Sequence, residues 1–135
     1  MRLHAKLAVI GALGIVLAAA PTRAHHSFAA EYDATRPILI DGTVTRIEWT
    51  NPHAHCYVEA ADKPGAVAEW CIELAGPKAL LGCGWRHDSM RVGDHVHIDG
   101  YRSKDGSTRV NARIVTLADG RTLSAGSSGG DVQPH

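Results

Sequence analysis

The stretch that decides the fold runs from Ile47 to Val58 and reads IEWTNPHAHCYV. It combines the end of one strand, a turn at Asn51-Pro52 and the start of a second strand, because Asn and Pro are typical turn residues. Side chains two positions apart share a face of a strand, so His53 and His55 are predicted to lie on one face. The stretch therefore predicts a strand pair with two imidazoles beside its turn.

The sequence before this turn predicts one long, bent strand. Pro37 opens an extended run in which apolar residues alternate from Ile38 to Val44 and then change parity at Ile47 and Trp49. Such a change predicts a β-bulge near Thr45-Arg46, which lets one strand serve two sides of a curled sheet.

The sequence after the turn predicts four more strands and one short helix. They are strand two at 53–60, strand three at 67–74, a helix at 76–81 that Pro77 begins, strand four near 95–101 and strand five at 108–117; Asp119-Gly120 is a further hairpin signal. On strand four, Val96, Ile98 and Gly100 share one face, while His95, His97, Asp99 and Tyr101 share the other.

This order predicts an all-β fold, a five-stranded Greek-key barrel of the oligonucleotide/oligosaccharide-binding (OB) type with its helix between strands three and four. A small β-sandwich is the alternative. In the barrel, strand one pairs with both strand two and strand four, so outward histidines of those two strands could share a site.

The chain begins with the pattern of a secretory signal peptide. Arg2 and Lys6 precede an apolar run of 14 residues, 7–20, which is shorter than the roughly 20 that a bilayer requires, and Ala24 is a small residue at the expected cleavage edge. We therefore expect a signal peptide at 1–24, one domain at 25–123 and a flexible tail at 124–135, in a periplasmic or secreted protein without a membrane span. A transmembrane anchor is the alternative to cleavage.

Charge argues against nucleic acid as a partner. Removal of Arg2, Lys6 and Arg23 leaves 11 basic against 14 acidic residues, a net charge near −3, and no cluster of Lys and Arg stands out. Nucleic-acid affinity comes largely from such clusters.

Three cysteines are present, Cys56, Cys71 and Cys83, in what should be an oxidising compartment. If Lys63-Pro64 forms the tip of the hairpin between strands two and three, Cys56 and Cys71 face each other, so a disulfide is one reading. Free cysteines packed as small apolar residues are the other.

Several short motifs together resemble one protein family. They are His25-His26-Ser27-Phe28, Gly42-Thr43-Val44, Trp49-Thr50-Asn51-Pro52-His53, Gly84-Trp85, Gly93-Asp94, Gly100-Tyr101, Lys104-Asp105-Gly106 and Asn111-Ala112-Arg113. In this order they are similar to an uncharacterised family of small exported bacterial proteins, a domain of unknown function, over about 25–123. The resemblance implies export and a single domain but no activity, and the cysteines are not part of its pattern.

The histidines suggest a metal ligand set. Cleavage after Ala24 would give His25 a free α-amine, and that amine and Nδ1 of the same residue can chelate one ion. With a third nitrogen from His26, His53 or His55, the set suits Cu(II), the ion that such sites bind most tightly. This resembles the histidine brace of periplasmic copper proteins by its terminus and not by its fold. A soluble start to the chain is the alternative.

The other histidines have plainer readings. His53, next to Asn51-Pro52, is expected to hydrogen-bond the backbone and hold the turn, and His55 is left open between the two roles. His95 and His97 repeat the spacing, but an exposed polar face of a strand is the commoner explanation for them.

A metal-free function remains the alternative. Trp49, Tyr57 and Tyr101 could form a ligand or partner surface for a periplasmic protein or a small molecule, although core packing also explains aromatic residues. No nucleophile motif, paired carboxylates or phosphate-binding loop is recognisable, so the sequence favours a binding module over an enzyme. We therefore expect an exported binding module, with copper as the proposed cofactor.

Overall fold

The structure, a computed structural model that describes residues 28–126, is a mostly antiparallel sheet of six strands. Its elements in chain order are α1 (Phe28–Glu31), β1 (Tyr32–Glu48), β2 (His55–Lys63), β3 (Ala66–Glu73), α2 (Pro77–Gly82), β4 (His95–Ser103), β5 (Arg109–Thr116) and β6 (Thr122–Ser124). The predicted signal peptide, 1–24, and His25 and His26 lie outside the described residues.

The strand pairing confirms the OB-type topology. β1 pairs with both β2 and β4, the strands follow the order β3-β2-β1-β4-β5-β6, and β3 also pairs with β5 in parallel. That last pairing joins the two sides, so the first five strands form a closed ring of pairings and not a sandwich of two sheets. β6 is an added short strand on β5, in line with the hairpin signal at Asp119-Gly120.

The bulge in strand one is confirmed, and it explains how β1 serves both sides. The register between β1 and β2 shifts between Val44 and Arg46. Before the shift, Ile40 and Val44 point into the core, and after it Ile47 packs against that core. The core is filled by residues from every long strand and α2, the largest fully buried side chains being Trp70, Trp85, Ile72, Leu80 and Ile98.

Gly42 marks the point where β1 meets β2 and β4 together. It lies opposite Ala60 on β2 and Val96 on β4. A β-carbon at this position would collide with the backbone oxygen of Glu59, so only glycine allows the two neighbours to approach this closely.

The predicted facing of Cys56 and Cys71 is wrong by one residue. The β2–β3 turn is centred on Pro64-Gly65, one position later than predicted, and the register also shifts between Ala61 and Lys63, so that Cys56 lies opposite Ile72 and Cys71 opposite Tyr57. Neighbouring positions on a strand point to opposite faces, so Cys56 lies in the core and Cys71 on the outer face. All three cysteines are free.

The packed domain also continues past Leu123, where the sequence analysis ended it. Ser124 is the last residue of β6, and its carbonyl accepts a hydrogen bond from Nε1 of Trp85 at 2.7 Å. Ala125 is fully buried and bonds the backbone of both Ala75 and Arg113. The first residues of the predicted tail are thus part of the packed domain, and residues 127–135 lie outside the described part.

Candidate metal site

Three potential metal ligands meet on the outer face of the β1–β4 pair. Asp41 on β1 lies opposite His97 on β4, and Thr43, two residues along β1, lies opposite His95. The neighbours of these ligands in sequence, among them Ile40 and Val96, point into the core, so alternation turns Asp41 and both histidines outward. The position of all three therefore follows from strand pairing.

The carboxylate of Asp41 lies between the two imidazoles. Its Oδ2 is 2.9 Å from Nδ1 of His97, and its Oδ1 contacts Nε2 of His95. The imidazole rings are 5.4 Å apart between centroids and nearly perpendicular, at 82°. All three side chains are more than half exposed, at 61% for Asp41, 57% for His95 and 59% for His97.

These distances fit a metal ion with little movement. One ligand atom from each of the three residues lies within 4.8 Å of the others, and this is the one such cluster of three or more His, Cys, Asp or Glu side chains among residues 28–126. Tetrahedral ligands at ~2.0–2.1 Å from an ion are separated by about 3.3 Å, so shifts of about 1 Å would suffice. A neutral imidazole can move its proton to the other ring nitrogen and free the one that faces Asp41.

The surroundings leave the cluster open on one side. Asp99, the next outward residue on β4, already contacts the guanidinium of Arg113. A shallow depression of about 290 Å³ begins at the cluster. It is lined by Leu39, Asp41, His97, Asp99, Ile114 and Thr116.

The histidines of the Asn51-Pro52 turn are arranged differently. Nδ1 of His53 lies 3.1 Å from the carbonyl oxygen of Leu74, and since a carbonyl only accepts, Nδ1 carries the proton. This is the backbone-holding contact that the sequence suggested for His53. His55 opens β2 between Glu48 and Glu73, and both carboxylates have other partners. Arg46 and Tyr57 contact Glu48, while Tyr32 and Asn111 donate to Glu73.

A site shared by the outward histidines of β2 and β4 does not form. Along β1, His55 lies opposite Glu48 and His95 opposite Thr43. Five positions on a strand separate them by about 16 Å. Of the predicted ligands, His25 and His26 lie outside the described residues, and His53 and His55 are not part of the described cluster.

The three aromatic residues of the predicted partner surface lie in separate surroundings. Tyr57 is on the outer face of β2 with the guanidinium carbon of Arg46 3.7 Å from its ring centroid. Trp49 packs edge-on against Trp85 at 6.4 Å and against His87 at 5.1 Å. Tyr101 is covered by Phe28 at 5.3 Å. Among residues 28–126, no ring contact joins the three to one another.

Two of the three thiols, those of Cys56 and Cys71, are not poised as ligands or nucleophiles. Burial raises the pKa of the Cys56 thiol to about 12, and burial also raises the pKa of Cys71, so both remain protonated at neutral pH. The thiolate is the form that binds metals and attacks electrophiles.

Sequence reasoning missed Asp41. A usable signal was present, because Ile38, Ile40, Gly42 and Val44 face the core and Asp41 must then face outward on the strand predicted to pair with strand four. What the sequence could not supply was the register that sets Asp41 opposite His97.

Comparison with protein families shows which family the chain belongs to. The model of a family of unknown function (DUF6152) matches residues 12–112. The chain therefore belongs to this family, as the motifs suggested.

Comparisons with individual proteins add little. No curated protein matches the chain. Among solved structures, the mitochondrial single-stranded DNA binding protein Rim1 from S. cerevisiae is similar at 10% sequence identity and a TM-score of 0.46, over 60% of this chain and 91% of that one. No helix among residues 28–126 has the length and apolar character that a membrane crossing requires.

Proposed function

We propose that this member of the DUF6152 family is an exported module that binds a divalent transition-metal ion, with Cu(II) as the ion of highest affinity. The observation that carries the proposal is the placement of Asp41 between His95 and His97. Two imidazoles and a carboxylate on adjacent strands form a nitrogen- and oxygen-donor set, and for such sites affinity rises along the first row to Cu(II).

The open side of the cluster suits a carrier or a sensor better than a structural ion. Structural zinc sites are closed by four protein ligands, whereas this cluster offers three and faces solvent. A bound ion would therefore keep at least one position for water or another ligand. Export, which the first 24 residues suggest, would place such a module where copper is handled outside the cytoplasm.

The test is a copper titration of the mature protein, followed by calorimetry and electron paramagnetic resonance. The chain offers a matched pair of variants, because it carries two histidine pairs of the same spacing. We expect His95→Ala/His97→Ala to weaken Cu(II) binding by at least 100-fold and His53→Ala/His55→Ala to leave it within about 3-fold. Equal affinity in all three proteins would contradict the proposal.

The same titrations distinguish the metal-binding function from the metal-free alternative. If the mature protein binds neither Cu(II) nor Zn(II) stoichiometrically, recognition of a protein or small molecule on the β surface becomes the better account. Tyr57 with Arg46, whose guanidinium carbon lies 3.7 Å from the ring centroid, would then be the first residues to change.

A further inference from the structure

The depression beside the metal cluster is framed by two rows of outward side chains that cross β1, β4 and β5. The row that includes two residues of the cluster consists of Asp41, His97 and Thr116. The second row, two residues along each strand, consists of Leu39, Asp99 and Ile114. The residues between the rows are buried in the core, so alternation directs both rows outward. A ligand in the depression would therefore lie directly beside an ion bound at Asp41 and His97.

The second row offers apolar surface on either side of a paired charge. Leu39 is 80% exposed, the largest fraction among the exposed large apolar side chains of the described part, and Ile114 is partly exposed across the row. Asp99 lies between them and contacts the guanidinium of Arg113, which lies where the β4–β5 register shifts. Because this pair balances its own charge, the surface left for a ligand is mainly apolar.

The dimensions of the depression suit a small molecule. Its volume is about 290 Å³, at the lower end of the range of roughly 300–1,000 Å³ for ligand sites. Two residues along a strand separate the rows by about 7 Å. A molecule whose donor atoms bind the ion in the first row would thus reach Leu39 with an aliphatic branch of about three or four carbons.

Coordination chemistry indicates which donor atoms such a molecule carries. Cu(II) favours tetragonal sets of nitrogen and oxygen donors, and the cluster presents three ligand residues. A plane of four strong donors with a weaker axial one has room for these three residues and for two more donors from one small molecule. An amine nitrogen and a neighbouring carboxylate oxygen are a simple pair of this kind, because together they close a ring on the ion.

Charge complementarity favours a ligand with one negative charge. Histidine binds metals as the neutral imidazole, and Asp41 contributes one negative charge against the two positive charges of the ion. The loaded site keeps one positive charge, since Asp99 is paired with Arg113. An amino acid that releases its ammonium proton to solvent on binding brings one carboxylate charge, which makes the site neutral. Water in the same positions would leave the charge of the ion uncompensated.

We infer that the depression binds a free α-amino acid with an aliphatic side chain as a second ligand of the copper ion. The inference rests on the proposed function. The amine and the carboxylate of the amino acid chelate the ion from the side of the depression, and its side chain covers Leu39 and contacts Ile114. The module then holds copper as a ternary complex of protein, ion and amino acid.

The experiment titrates the mature protein, loaded with one equivalent of Cu(II), with three small molecules. L-Leucine carries the amine, the carboxylate and the side chain, whereas glycine lacks the side chain and L-leucinamide lacks the carboxylate. Calorimetry measures each affinity, electron paramagnetic resonance reports the donors at the ion, and native mass spectrometry detects the ternary complex.

A matched pair of variants tests the apolar row. Leu39→Ser changes the depression, and Val67→Ser changes an exposed apolar residue on β3 that does not line it. Both side chains are exposed, so neither change removes packing from the core.

We expect L-leucine to bind the loaded protein about 10-fold more tightly than glycine, because its side chain is removed from water in the depression. Leu39→Ser should reduce this preference to about 2-fold and leave the affinity for glycine unchanged, whereas Val67→Ser should keep the full preference. L-Leucinamide should bind about 10-fold more weakly than L-leucine, because it does not neutralise the ion. The metal-free protein should bind none of the three.

The contrary outcomes separate the inference from the proposed function. Equal binding of L-leucine and glycine, or the same preference in Leu39→Ser and Val67→Ser, would overturn the inference and leave the metal site standing. Removal of copper from the protein by L-leucine without a ternary complex would do the same. Binding of L-leucine without copper, or binding of L-leucinamide as tight as that of L-leucine, would also overturn the inference alone.

Two further outcomes concern the site as a whole. A copper-dependent dimer, seen as a doubled mass in sedimentation, would place a second copy of the chain in the depression and overturn the inference. The absence of stoichiometric Cu(II) binding, or Cu(II) binding that His95→Ala/His97→Ala leaves unchanged, would overturn both the inference and the proposed function.

Discussion

Two histidine pairs with the same spacing have different surroundings in this protein. His53 and His55 flank the start of β2, where the ring of His53 bonds the backbone and the carboxylates beside His55 have other partners. His95 and His97 lie on β4 with both oxygens of Asp41 directed at them. Spacing alone thus does not make a site. The residue across the neighbouring strand decides whether two imidazoles serve the fold or are free for a ligand.

The largest expected difference between the two histidine pairs is in how much bound metal stabilises the folded protein. A ligand that binds only the native state stabilises it, by about 2.7 kcal/mol at a free concentration 100 times Kd. We expect Cu(II) to raise the free energy of unfolding by that amount in the mature protein and in His53→Ala/His55→Ala, and by no more than about 0.4 kcal/mol in His95→Ala/His97→Ala, whose affinity is at least 100-fold lower. Urea unfolding with and without the ion measures it. Equal stabilisation of both double variants would show that the pairs do not differ.

The carboxylate should account for a smaller share of the affinity. Asp41→Asn keeps the size of the side chain and removes its charge, so we expect Cu(II) affinity to fall about 10-fold, in the range found when groups that support a metal site are changed. Asp99→Asn is the matched control, since Asp99 lies on the same face but contacts Arg113. A larger loss in Asp99→Asn than in Asp41→Asn would contradict the assignment.

In the other histidine pair, His53 is expected to contribute to the stability of the fold and not to the affinity for metal. Removal of a hydrogen bond to a backbone carbonyl costs ~1 kcal/mol. We therefore expect His53→Ala to lower the free energy of unfolding by that amount in the absence of metal, and His87→Ala to lower it by less. Unfolding by urea under metal-free conditions provides the measurement. If His53→Ala changes copper affinity and not stability, the roles assigned to the two pairs are reversed.

Most of the fold could be predicted from the sequence, because local patterns of apolar and polar residues specify it. Alternation in β4 separated Val96 and Ile98 from His95 and His97, and the parity change before Trp49 located the bulge between Val44 and Arg46. Register was a harder problem. The position of the β2–β3 turn and the register shift between Ala61 and Lys63 together move the cross-strand partners by one, and Cys56 therefore faces Ile72 and not Cys71.

The site was predicted less well for the same reason. The sequence showed His95 and His97 as a pair, but alternating polar residues on a strand usually indicate only a face exposed to solvent. Asp41, the third residue of the cluster, is distant from them in sequence. The pairing of β1 with β4 brings the three together, and that register depends on the whole ring of strands. Pairwise spacing within one strand carries no information about it.

The smallest expected effect on the free energy of unfolding comes from the thiol of Cys56, in the core beside the turn histidines. This effect is absent at neutral pH. Burial raises the pKa of Cys56 from 9.0 to about 12, so the folded protein keeps this proton where the unfolded chain releases it. The contribution is complete below pH 9 and is lost as pH rises from about 9 towards 12, because unfolding then releases a proton. We expect the free energy of unfolding to fall over that range, and to fall less steeply in Cys56→Ala than in Cys83→Ser, whose thiol is exposed. Identical slopes in the two variants would mean that folding leaves the pKa of Cys56 unchanged, and this would contradict the burial of its thiol in the core.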